Sequence, residues 1–268
     1  MRQLKTGTLG SAATFAGEAT REMRGVYPML SDPEFFPSMP ACWKALEDGR
    51  IEALVIGIER TGQPHQGLPI VKSSLHVIGQ MALPLACNLY VRPGANATDI
   101  RKVTGHGSVH QCESYLERRF PGVPRVMHEL NSVSAAKEIL NGDGTVAVVG
   151  TKSLHEVVPE LEMLAANIDE GAAFASWWVI ARNPILSAEP DFVVATLRAG
   201  GDGKLGALIE KIDGQGFSLR AVAAFPVFTG LSVYDYLISW RGMGRLASLQ
   251  ATIASVPGAR LAGAFCSA

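Results

Sequence analysis

Long apolar runs, an excess of either charge and closely paired cysteines are all missing from this 268-residue chain. The longest apolar stretches, such as Ala53–Ile58 and Ala82–Leu89, fall far short of the ~20 residues that span a membrane as a helix. Lys and Arg number 24 against 25 Asp and Glu, which leaves no basic field to displace counterions from nucleic acid. Cys42, Cys87, Cys112 and Cys266 form no CxxC pair and match no zinc spacing, so they read as free thiols rather than a disulfide framework. P-loop, GxGxxG, HExxH and GxSxG signatures are absent too. No continuous apolar segment marks a secretory leader: Thr6–Gly17 is rich in Gly, Thr and Ser, and Glu18 and Arg21 follow. These absences predict a cytoplasmic globular protein that needs no metal, no cofactor, no nucleic acid and no membrane.

What is present is an α/β rhythm. Hydrophobic residues make up 47% of the chain, arranged as short apolar runs that alternate with helical spacing. Leu4–Leu9 and Ala53–Ile58 read as strands, with helices over Ala13–Met23 and Cys42–Asp48. A second block begins near Leu83, with strands at Cys87–Val91, Arg101–Thr104, Arg125–Glu129 and Val146–Val149. Helical spacing covers His110–Arg119 and Ser134–Leu140, and Trp177–Ile180 returns as a strand. The proline-containing stretch Arg182–Asp191 reads as a domain boundary. Beyond it, Phe192–Leu197, Lys204–Gly214, Leu219–Ala224, Tyr234–Trp240, Ala247–Ser255 and Arg260–Phe265 give the order βαββαβ, a ferredoxin-like arrangement.

Four strand ends could carry chemistry. Gly10–Ala16 runs from a strand into a helix, where small residues and free N–H groups receive a carboxylate and Thr14 adds a hydroxyl. The same residues would also make an ordinary tight turn. Glu59, Arg60 and Thr61 follow a buried strand, at the edge where α/β folds place ligands; they read either as an anion clamp or as a solvated ion pair. His106 lies between Gly105 and Gly107, open for acid–base work or simply bonded to the turn. Asn131 and Ser132 offer a polar contact or a helix cap. Trp177 and Trp178, being adjacent on a strand, point to opposite faces, so at most one lines a cleft.

Taken in order, these segments resemble the prephenate dehydratase family with a C-terminal ACT domain. Thr8–Phe15 is similar to the family's T-L-G-P-x-G-T-F. Leu46–Glu52 with Val55–Thr61 resembles L-x-x-G-x-x-D followed by V-x-P-I-E-N-S. Val103–Cys112 with Tyr115 and Leu116 resembles V-x-S-H-P-Q-A-L-x-Q-C followed by W-L. Ser132–Lys137 is similar to S-T-A-E-A-A, and Asn167–Asp169 to N-I-x-D. The resemblance implies two α/β lobes of periplasmic-binding-protein type over residues 1–185, with lobe 1 at about 1–82 and 155–185 and lobe 2 at about 83–154. An ACT-like domain would occupy 190–268, and a prephenate-like dicarboxylate would bind between the lobes.

The departures shape the functional expectation. In the T-R-F place, whose threonine and arginine the resemblance assigns to dehydration and to a substrate carboxylate, stand Ala175, Ser176 and Trp177. Arg60 stands for the Asn of E-N-S, and Thr104, Gly105, His106 and Gly107 stand for S-H-P-Q. Losing the threonine while keeping the scaffold resembles the branch of non-aromatising prephenate decarboxylases that serve antibiotic amino-acid pathways. On that reading Arg60 clamps a carboxylate, His106 or Glu59 delivers a ring proton, and Thr14, Phe15, Thr61, Ser108, Asn131, Ser132 and Ser176 complete the substrate site. The alternatives are a dehydratase yielding phenylpyruvate and a non-catalytic binding protein. In the ACT-like part, Leu205–Leu208 resembles P-G-A-L and Tyr234–Tyr236 takes the aromatic-strand place. E-S-R-P becomes Ala223, Ala224, Phe225 and Pro226, which removes polar effector contacts. The resemblance leaves this domain as a surface for a homodimer or tetramer.

Overall fold

A computed structural model describes residues 2–60, 65–171, 174–228 and 230–267, the side chain of Arg60 excepted. The chain opens with β1 (Leu4–Leu9), α1 (Phe15–Val26), β2 (Leu30–Phe36), α2 (Met39–Glu47), β3 (Ala53–Arg60), α3 (Leu68–Lys72) and β4 (His76–Pro84). It crosses to β5 (Cys87–Val91), β6 (Lys102–Gly105), α4 (Glu113–Arg119), β7 (Arg125–Met127), α5 (Ser132–Leu140), β8 (Val146–Thr151), α6 (Leu154–Val157) and β9 (Glu162–Ala165). It returns as β10 (Phe174–Ala181) and finishes with β11 (Phe192–Ala199), α7 (Lys204–Asp213), β12 (Phe217–Pro226), β13 (Tyr234–Gly242), α8 (Leu246–Ala254) and β14 (Ala259–Phe265).

Three sheets result, ordered β2-β1-β3-β10-β4, β7-β6-β8-β5-β9 and β12-β13-β11-β14. In lobe 1, β1 is parallel to β2 and β3, while β10 runs antiparallel between β3 and β4. The central β3 is apolar and buried from Ala53 to Ile58, as expected where both faces of a sheet are covered. The third sheet is antiparallel throughout and carries α7 and α8 against one face, the βαββαβ topology read from the sequence.

Three strands escaped the sequence reading, and all three are sheet edges. β2 contains Pro33 and two acidic residues, β4 contains Gly79 and Gln80, and β9 spans only Glu162–Ala165. A strand with one open side needs no continuous apolar run and tolerates proline. The lobe boundary also moves. Leu154, Val158 and Leu161 pack with Ala135, Ala136 and Ile139 of α5, and β9 pairs with β5. Residues from 155 therefore belong to lobe 2, and the return to lobe 1 comes only with β10. Helical spacing over His110–Arg119 resolves into a 3-10 turn, Gly107–Cys112, and then α4.

The two crossovers between lobes are clasped together. Cys87 donates its N–H to Asp169 Oδ1 at 2.8 Å and accepts at its carbonyl from the Ile168 N–H at 2.8 Å. Asp169, in the N-I-x-D place, is thus a hinge residue. All four cysteines are free, and three are buried; burial pushes the Cys42 thiol up to about 11. Among the described residues no helix is long and apolar enough to cross a membrane.

Candidate functional site

β1 and β3 run parallel in lobe 1 with β10 entering beside the end of β3, and β6 and β8 run parallel in lobe 2. On the lobe 1 side, Gly10 turns with φ +85, a left-handed geometry that glycine adopts without strain. Thr14 then caps α1: its Oγ1 accepts from the Gly17 N–H at 3.3 Å and donates to the Ser11 carbonyl at 2.7 Å. The hydroxyl expected to meet substrate is committed to the turn, and the free helix N–H groups are what this segment offers. Phe15 packs against the apolar clusters of both lobes. Nearby, Thr151 Oγ1 donates to the Ala13 carbonyl at 3.1 Å, and the Ser153 N–H donates to Glu18 Oε1 at 2.9 Å. These bonds hold the lobes together along one side of α1.

Across the gap, His106 is exposed at the end of β6, and its N–H donates to Ser132 Oγ at 3.4 Å. Asn131 caps α5, accepting from the Ser134 N–H at 2.9 Å. The Ser108 hydroxyl is buried with no hydrogen-bond partner among the described residues. The structure therefore brings His106, Asn131 and Ser132 together on lobe 2, while Thr14 and Phe15 open α1 on lobe 1, each group at a helix N-terminus. Both termini favour anionic groups.

Two expected site residues lie elsewhere. Ser176 is 5% exposed, and its Oγ accepts from Trp178 Nε1 at 3.0 Å and from Gln80 Nε2 at 3.2 Å. It faces the C-terminal sheet rather than a ligand, because alternation along β10 sends Ala175 and Trp177 to the α1 side and Ser176 and Trp178 to the other. Glu59 opposes Ser176 in register and shares that face. Its carboxylate meets Arg220 Nη1 at 2.8 Å and lies 3.8 Å from His65 Nε2, so it is an interdomain ion pair and not a partner of His106. Thr61 lies outside the described residues. Arg60 ends β3 opposite Ala175.

His65 was missed by the sequence reading, which grouped it with structural histidines. Its Nδ1 accepts from the Gly67 N–H at 3.0 Å, and its ring meets Trp178 and Phe225 edge-on. Burial, aided by Arg220 and opposed by Glu59, lowers its pKa and keeps it neutral. It borders a cavity of about 690 Å³ that lies away from the interlobe gap, between α2, α3 and β12, with Trp43, Ala223 and Phe225 among its walls. A second space of about 440 Å³ lies between the lobes, walled by α1, Leu83–Ala86 and Trp177 on one side and by Lys152, Ser153 and Glu156 on the other. No three His, Cys, Asp or Glu side chains among the described residues are placed to hold a metal ion.

The sequence model of a family described as prephenate dehydratase matches residues 6–185, which span both lobes. The chain belongs to the prephenate dehydratase family. It is 24% identical over 261 residues to the bifunctional chorismate mutase/prephenate dehydratase of Neisseria gonorrhoeae, covering 94% of this chain and 70% of that one. A crystal structure of a prephenate dehydratase in complex with L-Phe, from Arthrobacter aurescens, has the same fold, with a TM-score of 0.78 at 19% identity over 98% of this chain and 89% of that one. GqqA, described as a novel type of quorum quenching acylase, matches as well, with a TM-score of 0.78 at 18% identity over 98% of both chains. In family terms the fold is a periplasmic-binding-like two-lobed domain followed by a ferredoxin-like ACT domain.

Proposed function

We propose that the interlobe cleft takes prephenate or a close dicarboxylate relative, and that the chain acts on it as a lyase. The observation that carries this reading is the family match across the whole two-lobed unit. The N-termini of α1 and α5 support it, since each can attract a carboxylate. Release of CO₂ leaves an electron pair that must enter the ring, and a poorly solvated carboxylate makes that release easier. In the reaction named for the relatives, the ring hydroxyl leaves as water with a proton from an acid, giving phenylpyruvate. His106, exposed at the end of β6, is the residue we assign to proton delivery.

A second reading rests on one observation. Where a threonine is expected on β10 there is the methyl of Ala175, and the neighbouring Ser176 hydroxyl is spent on Trp178 and Gln80. With no acid on this strand at the ring hydroxyl, the electron pair is captured by a proton on a ring carbon. The product is then a dihydro-hydroxyphenylpyruvate that keeps its oxygen.

One assay separates the two: purified chain with prephenate, CO₂ release, and products by ultraviolet absorbance and mass. Phenylpyruvate with CO₂ establishes the dehydratase. CO₂ with a retained hydroxyl and no aromatic chromophore establishes the decarboxylase. Prephenate that is neither consumed nor bound overturns both.

A further inference from the structure

Glu59, next to last in β3, lies on the face turned to the C-terminal sheet, with Ser176 directly opposite on β10. Residues so opposed hold their Cβ atoms ~4.5–5.5 Å apart, so a long cation at 176 would lie against the Glu59 carboxylate. Serine is too short to reach it, and its hydroxyl is already used by Trp178 and Gln80. The guanidinium comes from another domain instead. Arg220 of β12 sets Nη1 2.8 Å from Glu59 Oε2, with both side chains about three-quarters shielded from solvent. It lies over the Phe192 ring, as does Arg241 of β13, which reaches Gln80 Oε1 at 3.4 Å. The C-terminal sheet thus delivers two cations to the outer face of the β3–β10 pair.

We propose that Arg220 is a positioning residue for the interlobe site: it fixes Glu59, and through it the end of β3 at the cleft edge, in place of a cation on β10. The C-terminal domain is then a structural member of the active unit. On one side the strand end is paired with β10 at Glu59 and Arg60. The Gln66 N–H donates to the Ile58 carbonyl at 2.9 Å, and His65 stands beside the carboxylate without a hydrogen bond to it. Without Arg220, Glu59 becomes a half-buried unpaired carboxylate, which moves toward solvent and takes its strand end with it. This role rests on reading the cleft as the substrate site.

The test uses the full chain and four proteins: wild type, Arg220→Ala, Arg220→Lys, and Arg220→Ala combined with Ser176→Arg. The first readout is prephenate kinetics, split into KM and kcat. The second is amide hydrogen exchange at Gln66, with Val149 in lobe 2 as the remote reference. Arg220→Ala is expected to raise KM at least tenfold and to speed Gln66 exchange at least tenfold while Val149 is unchanged. Arg220→Lys should recover part of both, and the double variant most of both. Wild-type KM and Gln66 exchange in Arg220→Ala would overturn the proposal, as would equal acceleration at Val149, which marks general destabilisation. If the wild type neither binds nor consumes prephenate, the functional reading fails separately. Gln66 exchange and its recovery by Ser176→Arg then decide whether Arg220 holds the strand end.

Discussion

The two junctions of lobe 1 are built from opposite materials. Toward the C-terminal domain it shares one apolar core: Trp178, Ile180 and Ile70 pack with Phe192, Leu237 and Phe265. The backbones come so close there that a Cβ on Gly263 would lie 2.3 Å from the Val77 carbonyl oxygen. Toward lobe 2 the described ties include Thr151 to Ala13, Ser153 to Glu18, Arg21 to the Ser153 hydroxyl at 3.0 Å and an exposed Arg21–Glu156 pair, with Phe15 as an apolar contact. A buried apolar junction resists separation, whereas hydrogen bonds that water can replace are each worth little net. Lobe 1 and the C-terminal domain are therefore expected to behave as one body, with lobe 2 the part that moves.

The largest effect should come from the shared core. Phe192→Ala removes a ring that stacks on Phe265 at 5.3 Å and meets Trp178 edge-on at 6.2 Å. It is expected to cost about 3–5 kcal/mol in urea unfolding, and to split one transition into two if the domains separate. A loss under 1 kcal/mol with a single transition would mean that the junction is not a core. Next comes Arg260, whose guanidinium donates to the carbonyls of Ile70, Ser73 and Leu75. Arg260→Ala leaves those oxygens without this donor and is expected to cost about 1.5–3 kcal/mol. Arg260→Lys should recover less than half, because one ammonium cannot fork to three acceptors as a guanidinium does.

The same contrast explains what the sequence disclosed. Buried central strands such as β3 and β11 are legible because both faces are apolar, and the Gly10–Thr14 turn is legible because glycine and a capping hydroxyl have local causes. The edge strands β2, β4 and β9 are not, since one open side relaxes the pattern. Within the site, Thr14, His106, Asn131 and Ser132 stand at strand ends and helix starts, which short-range signals mark. Ser176 and Glu59 were assigned to the cleft because motif order says which residues sit near a site but not which face of the strand they occupy. Their true partners, Gln80, Trp178 and Arg220, are fixed by sheet register and by a domain interface that no local pattern encodes. His65 became visible only as a neighbour of that interface.

The polar junction should respond in shape more than in stability. Thr151→Val with Glu18→Gln deletes one interlobe bond and weakens another, at about 0.5–1.5 kcal/mol each. The expected readout is a larger radius of gyration in solution scattering and weaker prephenate binding, with unfolding of the shared core barely changed. An unchanged radius together with a large stability loss would contradict the assignment of lobe 2 as the mobile part.

The smallest effect is a pH slope at the apolar junction. His65 has its pKa lowered chiefly by burial, with Arg220 adding to the shift and Glu59 opposing it; His76 is lowered by burial and by Arg260. A histidine depressed in the folded state takes up its proton first in the unfolded chain, so stability is unaffected above the ordinary histidine pKa of ~6.5. It falls as pH drops from there to the folded-state value, and levels off below it. Each histidine can contribute a slope of at most about 1.4 kcal/mol per pH unit. His65→Asn, whose amide oxygen can still accept from the Gly67 N–H, is expected to flatten the slope below pH 6.5 while leaving stability at pH 8 within about 1 kcal/mol. A slope below pH 6.5 that survives unchanged in His65→Asn would contradict the assignment of this titration to the buried junction.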